Sequence, residues 1–251
     1  MENIEKGEVI FGAHPVREAL KSKKRNVLQL YITGKHGGKQ REEIIRLAKT
    51  RNVKIKSVEP KFLDAMAGRG NNHQGLVARV EPLKAERLSN AIYEAAGKKD
   101  ALWLAIDEVT DPQNLGSMLR SAACLGFSVV LLPARRTVGI NSTVYKVSSG
   151  ALENITVVEV PNLTTAILDL KEEGFWIYGA DMAGDNIPKV KYAYPALLVI
   201  GSEYTGLREK TREHCDQIVA VPQQKGALSS LNAAAAAAII MYDMYAKLKF
   251  K

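Results

Sequence analysis

Three stretches of this sequence combine small and polar residues in spacings that could do chemistry. In DPQNLGSMLRSA, Asp111 and Pro112 sit where a helix would open, and Asn114, Ser117 and Arg120 follow at intervals of three. That spacing puts an amide, a hydroxyl and a guanidinium on one face, so all three side chains can point into one cleft. In LLVIGSEYTGL, Leu197–Leu207, an apolar strand runs straight into Gly201, where the missing side chain would let a ligand approach the backbone closely, and Glu203 hangs just past the strand end. In IVAVPQQKGALSSLNAAAAAAII, Ile218–Ile240, a strand ends at Pro222 and a polar loop follows. A helix is expected to begin near Ser229, capped by Ser229 or Ser230, and to run through the six alanines Ala233–Ala238. Neither glycine-rich stretch has the GxGxxG spacing of a dinucleotide fold, and no serine lies in a GxSxG elbow. The four histidines are scattered, and no His, Cys or carboxylate cluster has ligand spacing, so neither hydrolase chemistry nor a metal is expected.

The elements that must position these residues read as two domains. A chain of 251 residues exceeds what one core commonly fills. Residues 1–80 carry 17 Lys and Arg against 8 Asp and Glu, a net of +9, so the whole excess of the chain's net +8 lies there. Such asymmetry is what a module that grips a polyanion would show, the alternative being a solvated lysine-rich surface. Within it, HPVREALKSK and KQREEIIRLAKTRN read as helices, VLQLYIT, VKIKSV and LVARV as strands, and AGRGNNHQG as a loop in which Arg69 could touch phosphate. Residues 81–100 are polar and alanine-rich and read as a linker with one helical stretch. From 101 to 251, ALWLAID, FSVVLLP, ITVVEV, FWIYGAD, ALLVIGS and QIVAVP are short apolar runs separated by helix-length segments, the pattern of a mostly parallel sheet covered on both faces. Ligands bind such sheets beyond the carboxyl ends of the strands. No apolar run reaches membrane-spanning length and the start of the chain lacks a signal-peptide pattern, so a cytoplasmic protein is expected. The two cysteines, Cys124 and Cys215, are expected to be small buried hydrophobes.

Taken together, DPQNLGSMLRSA, VIGSEYTGL and VPQQKGALSSLNAAAAAAI resemble, in order, the three motifs of the SpoU family, also called the TrmH family, of RNA ribose 2'-O-methyltransferases. IFGAHPVREAL and NNHQGLVA are similar to the substrate-binding domain of the members that methylate a guanosine of 23S ribosomal RNA, so the resemblance covers almost the whole chain. It implies a SPOUT-type α/β trefoil-knot domain preceded by a small ribosomal-protein-like α/β domain. It also implies S-adenosylmethionine as methyl donor and a homodimer acting on ribosomal RNA. By position, Gly201, Val221 and Leu231 match the residues that hold the donor, while Asn114, Arg120, Glu203, Ser230 and Asn232 match the catalytic and ribose-positioning set. Alignment on Asn232 favours Ser230 over Ser229. The resemblance leaves Arg120 two roles, proton acceptor or a cation that binds the neighbouring phosphate and stabilises a developing alkoxide. Arg17, Lys21, Lys23, Lys24, Arg25, Lys39 and Arg41, with Arg69, are the candidates for the RNA-gripping surface. A transfer-RNA methyltransferase would use the same pocket without this first domain, and a noncatalytic assembly factor would not need the polar set. The third-motif loop is one residue longer than in common relatives, and alanines follow SLN where relatives often have valine and serine.

Overall fold

The computed structural model describes residues 7–22, 24–34, 38–68, 70–224 and 230–250. Lys23 and Arg69 lie outside them, as does Ser229. The chain divides into two compact units, one of residues up to Lys84 together with Ile140–Asn154, the other of Ala85–Gly139 and Ile155–Lys251.

In the first unit β1 (Glu8–Phe11), α1 (Ala13–Lys21), β2 (Val27–Ile32), α2 (Lys39–Thr50), β3 (Lys54–Ser57), α3 (Pro60–Ala67) and β4 (Leu76–Val80) follow in order. The sheet runs β1-β4-β2-β3, antiparallel except for the β2–β3 pair. Helix α3 has no counterpart among the sequence expectations. It is two turns long and buries only Leu63 and Ala67, so its periodicity is faint. Pro60 in the first turn was its one local signal.

In the second unit α4 (Leu88–Ala95) leads into β5 (Leu102–Ile106), α5 (Pro112–Cys124) and β6 (Phe127–Pro133). The chain then makes an excursion into the first unit as α6 (Ser142–Ser148) and a 3₁₀ turn at Ala151–Glu153. It returns as β7 (Thr156–Val160), α7 (Leu163–Glu172), β8 (Trp176–Asn186), β9 (Ala196–Ile200), α8 (Glu209–Glu213), β10 (Gln217–Ala220) and α9 (Ala233–Lys249). All six strands are parallel, in the order β10-β8-β9-β5-β6-β7. The six apolar runs of the sequence are these six strands. Side chains alternate across a strand. Trp103, Leu131, Val158, Ile177 and Leu197 therefore share one face, packed with Ile167 and Leu170 of α7 and with Ala91 of α4. Helices α5 and α9 pack on each other and against β6 and β9.

Two sequence expectations are overturned by burial. Cys124 is exposed, because α5 ends there as it leaves the core; Cys215 is half-buried and its Sγ donates to the Thr211 carbonyl at 3.3 Å. Burial, with Asp216 beside it, pushes the Cys215 thiol up to about 12. Arg25 is not a surface residue. It is 4% exposed, and its guanidinium donates to both Glu153 and Glu8, to the Glu81 carbonyl at 3.1 Å and to the Tyr145 hydroxyl at 3.1 Å. Burial opposes that charge, but the hydrogen bond to Glu153 and the charges around it more than offset the cost, and the guanidinium pKa is raised. Arg25 thus joins β1 and the Ile140–Asn154 excursion within the first unit, a structural role that excludes it from an RNA-facing surface.

Candidate active site

Parallel strands leave their carboxyl ends open, and a cleft of about 290 Å³ opens there, beyond β8, β9 and β10. Two loops and a bulged stretch of β8 make it. After β9 the chain turns at once: Ser202 and Gly206 exchange backbone hydrogen bonds of 3.0 and 3.1 Å, and Ser202 Oγ accepts from the amides of Tyr204 and Thr205. Gly201 is required here, since a Cβ would lie 2.3 Å from the Gly206 carbonyl carbon. The glycine that was expected to admit a ligand thus first admits the loop's own backbone. Within β8 the pairing with β10 jumps from Gly179 to Asp185, so residues 180–184 leave that one ladder and carry Asp181 and Met182 to the cleft. Gly184 allows the return, because a Cβ there would sit 2.6 Å from the Ile218 backbone. The second loop leaves β10 at Val221 and re-enters at Ser230 and Leu231 before α9.

Helix α9 is capped by neither serine. Asn232 is the cap, its Oδ1 accepting from Ala234 at 2.9 Å and Ala235 at 3.2 Å. An asparagine reaches amides two and three residues ahead as serine does. The cap fixes the orientation of the Asn232 amide. Its Nδ2 is turned outward and donates to Asn114 Oδ1 at 3.0 Å, which leaves Asn114 Nδ2 to donate to Glu203 Oε1 at 2.9 Å. One hydrogen-bonded chain therefore links the first turn of α5, the loop after β9 and the start of α9. Glu203 Oε2 is buried and has no hydrogen-bond partner among the described residues. On α5, Asp111 caps the helix by accepting from Gln113 at 2.9 Å with Pro112 behind it, as expected. Asn114 and Ser117 are half-buried and Arg120 is exposed, and none of the three lines the cleft itself.

The predicted set thus divides by location. Gly201, Glu203, Val221, Ser230 and Leu231 line the cleft; Asn114 and Asn232 are tied to Glu203; Arg120 stands on the exposed side of α5. Asp181 and Met182 escaped the sequence reading. Their signal was an acid closing the apolar run FWIYGAD, with a glycine three residues on. In the first unit, Lys21, Lys24 and Lys39 are exposed; Lys21 pairs with Glu43 at 3.0 Å and Arg17 with Glu18 at 3.1 Å, while Arg41 donates to the Gly34 carbonyl at 2.9 Å. Among the described residues no group of three or more His, Cys, Asp or Glu could hold a metal ion, and no helix is long and apolar enough to cross a membrane.

A cleft at the carboxyl edge of a parallel sheet, beside an amide–carboxylate chain, marks an α/β protein that binds a small molecule there. The sequence pattern described as the SpoU rRNA Methylase family matches residues 101–242, and that described as RNA 2'-O ribose methyltransferase substrate binding matches 9–86. The chain belongs to the SpoU rRNA methylase family and is an S-adenosylmethionine-dependent RNA 2'-O-ribose methyltransferase. It is 37% identical to the putative TrmH family tRNA/rRNA methyltransferase YacO of Bacillus subtilis, over 96% of each chain. It is 33% identical to the 23S rRNA (guanosine-2'-O-)-methyltransferase RlmB of Ralstonia nicotianae, again over 96% of each. Among solved structures it is similar to the SpoU methyltransferase AviRb of Streptomyces viridochromogenes in complex with AdoMet. That likeness has a TM-score of 0.79 and 27% identity, and covers 96% of this chain and 90% of the other. The SPOUT-type fold with a small α/β domain before it is therefore the fold of this protein.

The residues present suit that donor. Ile200, Val221, Leu231 and Ile240 give an apolar wall for a purine ring, with the tight Gly201–Gly206 turn beside it. Glu203 places a carboxylate beside it, which favours a ligand carrying positive charge, whereas Asp181 is paired with Arg212 at 2.8 Å.

Proposed function

We propose that the protein methylates the ribose 2'-hydroxyl of a guanosine in 23S ribosomal RNA. The observation that carries this reading is the Asn232–Asn114–Glu203 chain, which joins three separately recognised motifs at the mouth of one cleft. The identity with RlmB across both units supports the substrate. When bound, S-adenosylmethionine supplies an electrophilic methyl group. Gly201, Val221 and Leu231 hold the donor, and Ser230, Asn232 and Asn114 position the ribose. Glu203 orients the Asn114 amide through Oε1 and keeps Oε2 as a further acceptor for a hydroxyl proton. Arg120 stays a cation, since guanidinium groups in proteins keep their protons, and stabilises the oxyanion that forms as the 2'-hydroxyl gives up its proton. Lys21, Lys24, Lys39, Arg17 and Arg41 grip phosphate from the first unit. The work is assigned to the cytoplasm.

Incubation with radiolabelled S-adenosylmethionine and either ribosomal or transfer RNA, followed by nuclease mapping, tests this directly. Label is expected on one guanosine ribose of the large-subunit RNA. Label confined to transfer RNA would overturn the substrate, and donor binding without label on either RNA would overturn the activity.

The working form is proposed to be a homodimer. Ala235, Ile239 and Tyr242 form an exposed stripe at i, i+4 and i+7 along α9, and Leu231 stands exposed just before it. Sedimentation of the full chain is expected to give twice the 27.5 kDa of one chain. Tyr242→Glu should shift it towards the monomer; a monomeric parent protein would sink the proposal.

A further inference from the structure

One buried carboxylate has no place in the roles assigned so far. Asp107 directly follows β5, is 1% exposed, and donates its amide to the Ile200 carbonyl of β9 at 2.8 Å. Its Oδ2 accepts from Arg208 Nε at 2.8 Å and from the fully buried Thr211 Oγ1 at 3.0 Å, while Oδ1 is buried with no hydrogen-bond partner among the described residues. A carboxylate taken out of water is retained only where specific donors hold it. Its two donors are not arbitrary. Arg208 and Thr211 lie directly beyond the turn that starts at Gly201 and carries Glu203, and Leu207, just before Arg208, is 7% exposed, packed into the core. The helix they begin, α8, is five residues long, too short to hold itself by backbone bonding alone. Asp107 therefore anchors the exit of the turn to β5, as the β9 strand anchors its entry.

We propose that Asp107 is a positioning residue for the methyl donor: through Arg208 and Thr211 it sets the Gly201–Leu207 turn in the shape that the donor binds. This rests on the reading of that turn as part of the donor site. Asp107→Asn keeps size and one acceptor oxygen but removes the nearer of the two charges that hold Arg208, leaving Glu108 at 3.7 Å.

The expected result is a roughly tenfold rise in the Kd of the full-length protein for S-adenosylmethionine by titration calorimetry, about 1.4 kcal/mol. The KM for the donor should rise equally, with kcat at saturating donor and KM for RNA within about twofold. Arg208→Gln should reproduce the effect, and the double variant should be no worse than either single one, because the two groups act as a pair. Thr211→Val, a milder change at the same carboxylate, should raise the Kd about threefold and decides the matter if Asp107→Asn does not fold. A donor Kd within twofold of the parent in the folded variants overturns the proposal. Leu231→Asp serves as the control on the site itself. It should abolish donor binding, and if it does not, the reading of the cleft fails instead.

Discussion

Replacing Arg120 by alanine is expected to lower kcat for RNA methylation by about two to three orders of magnitude, the loss seen when a group that stabilises developing negative charge is removed. RNA affinity should stay within about threefold, because one phosphate or ribose contact is a small share of binding by a unit whose sequence carries a net +9 over residues 1–80. Arg120 stands on the exposed side of α5, two turns beyond Asn114, so the substitution removes no core packing and the fold should be unchanged. Arg120→Lys separates charge from shape. It keeps a cation but not the planar fork, and an intermediate rate is expected. Single-turnover methylation at saturating donor, with filter binding of the same RNA, checks both halves. Activity within twofold of the parent for Arg120→Ala would remove this residue from the reaction.

The second large effect concerns stability. Arg25→Met should destabilise the protein by about 3–5 kcal/mol, because it leaves Glu153 buried without its cation. The side chains of Arg25 and Glu153 are each 2% exposed, so water does not replace the lost partner. Glu153 already keeps one buried oxygen without a partner, which leaves little to absorb the change. The double variant Arg25→Met/Glu153→Leu should recover most of that loss, since it removes both charges together. Urea unfolding of the full chain measures all three proteins. A cost below about 1 kcal/mol for the single variant would mean that the pair contributes no more than an exposed ion pair does. The same geometry affects how the first unit can be dissected. Deleting residues 1–80 would strip Tyr145 and Glu153 of Arg25 and Glu8, so substitution of exposed lysines is the cleaner way to examine RNA grip.

What the sequence determined by itself was local and patterned. Six apolar runs became six parallel strands because a strand buried on both faces needs no more information than its own composition. The Asp111–Pro112 start of α5 was legible because capping acts within three residues. Three ordered motifs gave the family and its donor, which short-range periodicity does not encode. The knot that the family resemblance implies leaves no mark in periodicity at all.

Tertiary structure decided everything that depends on partners distant in sequence. Arg25 reads as one more cation in a basic stretch, and only the return of residues 140–154 buries it against Glu153, 128 positions away. Asn232 displaced both serines as the cap of α9, and the same side chain meets Asn114 across 118 positions. Asp181 reached the cleft through a break in strand register, and Gly201 is fixed by its own loop rather than by a ligand alone. In each case a side chain's role is set by which groups exclude water from it and which donors replace that water. Those neighbours are supplied by the fold and not by the adjoining sequence.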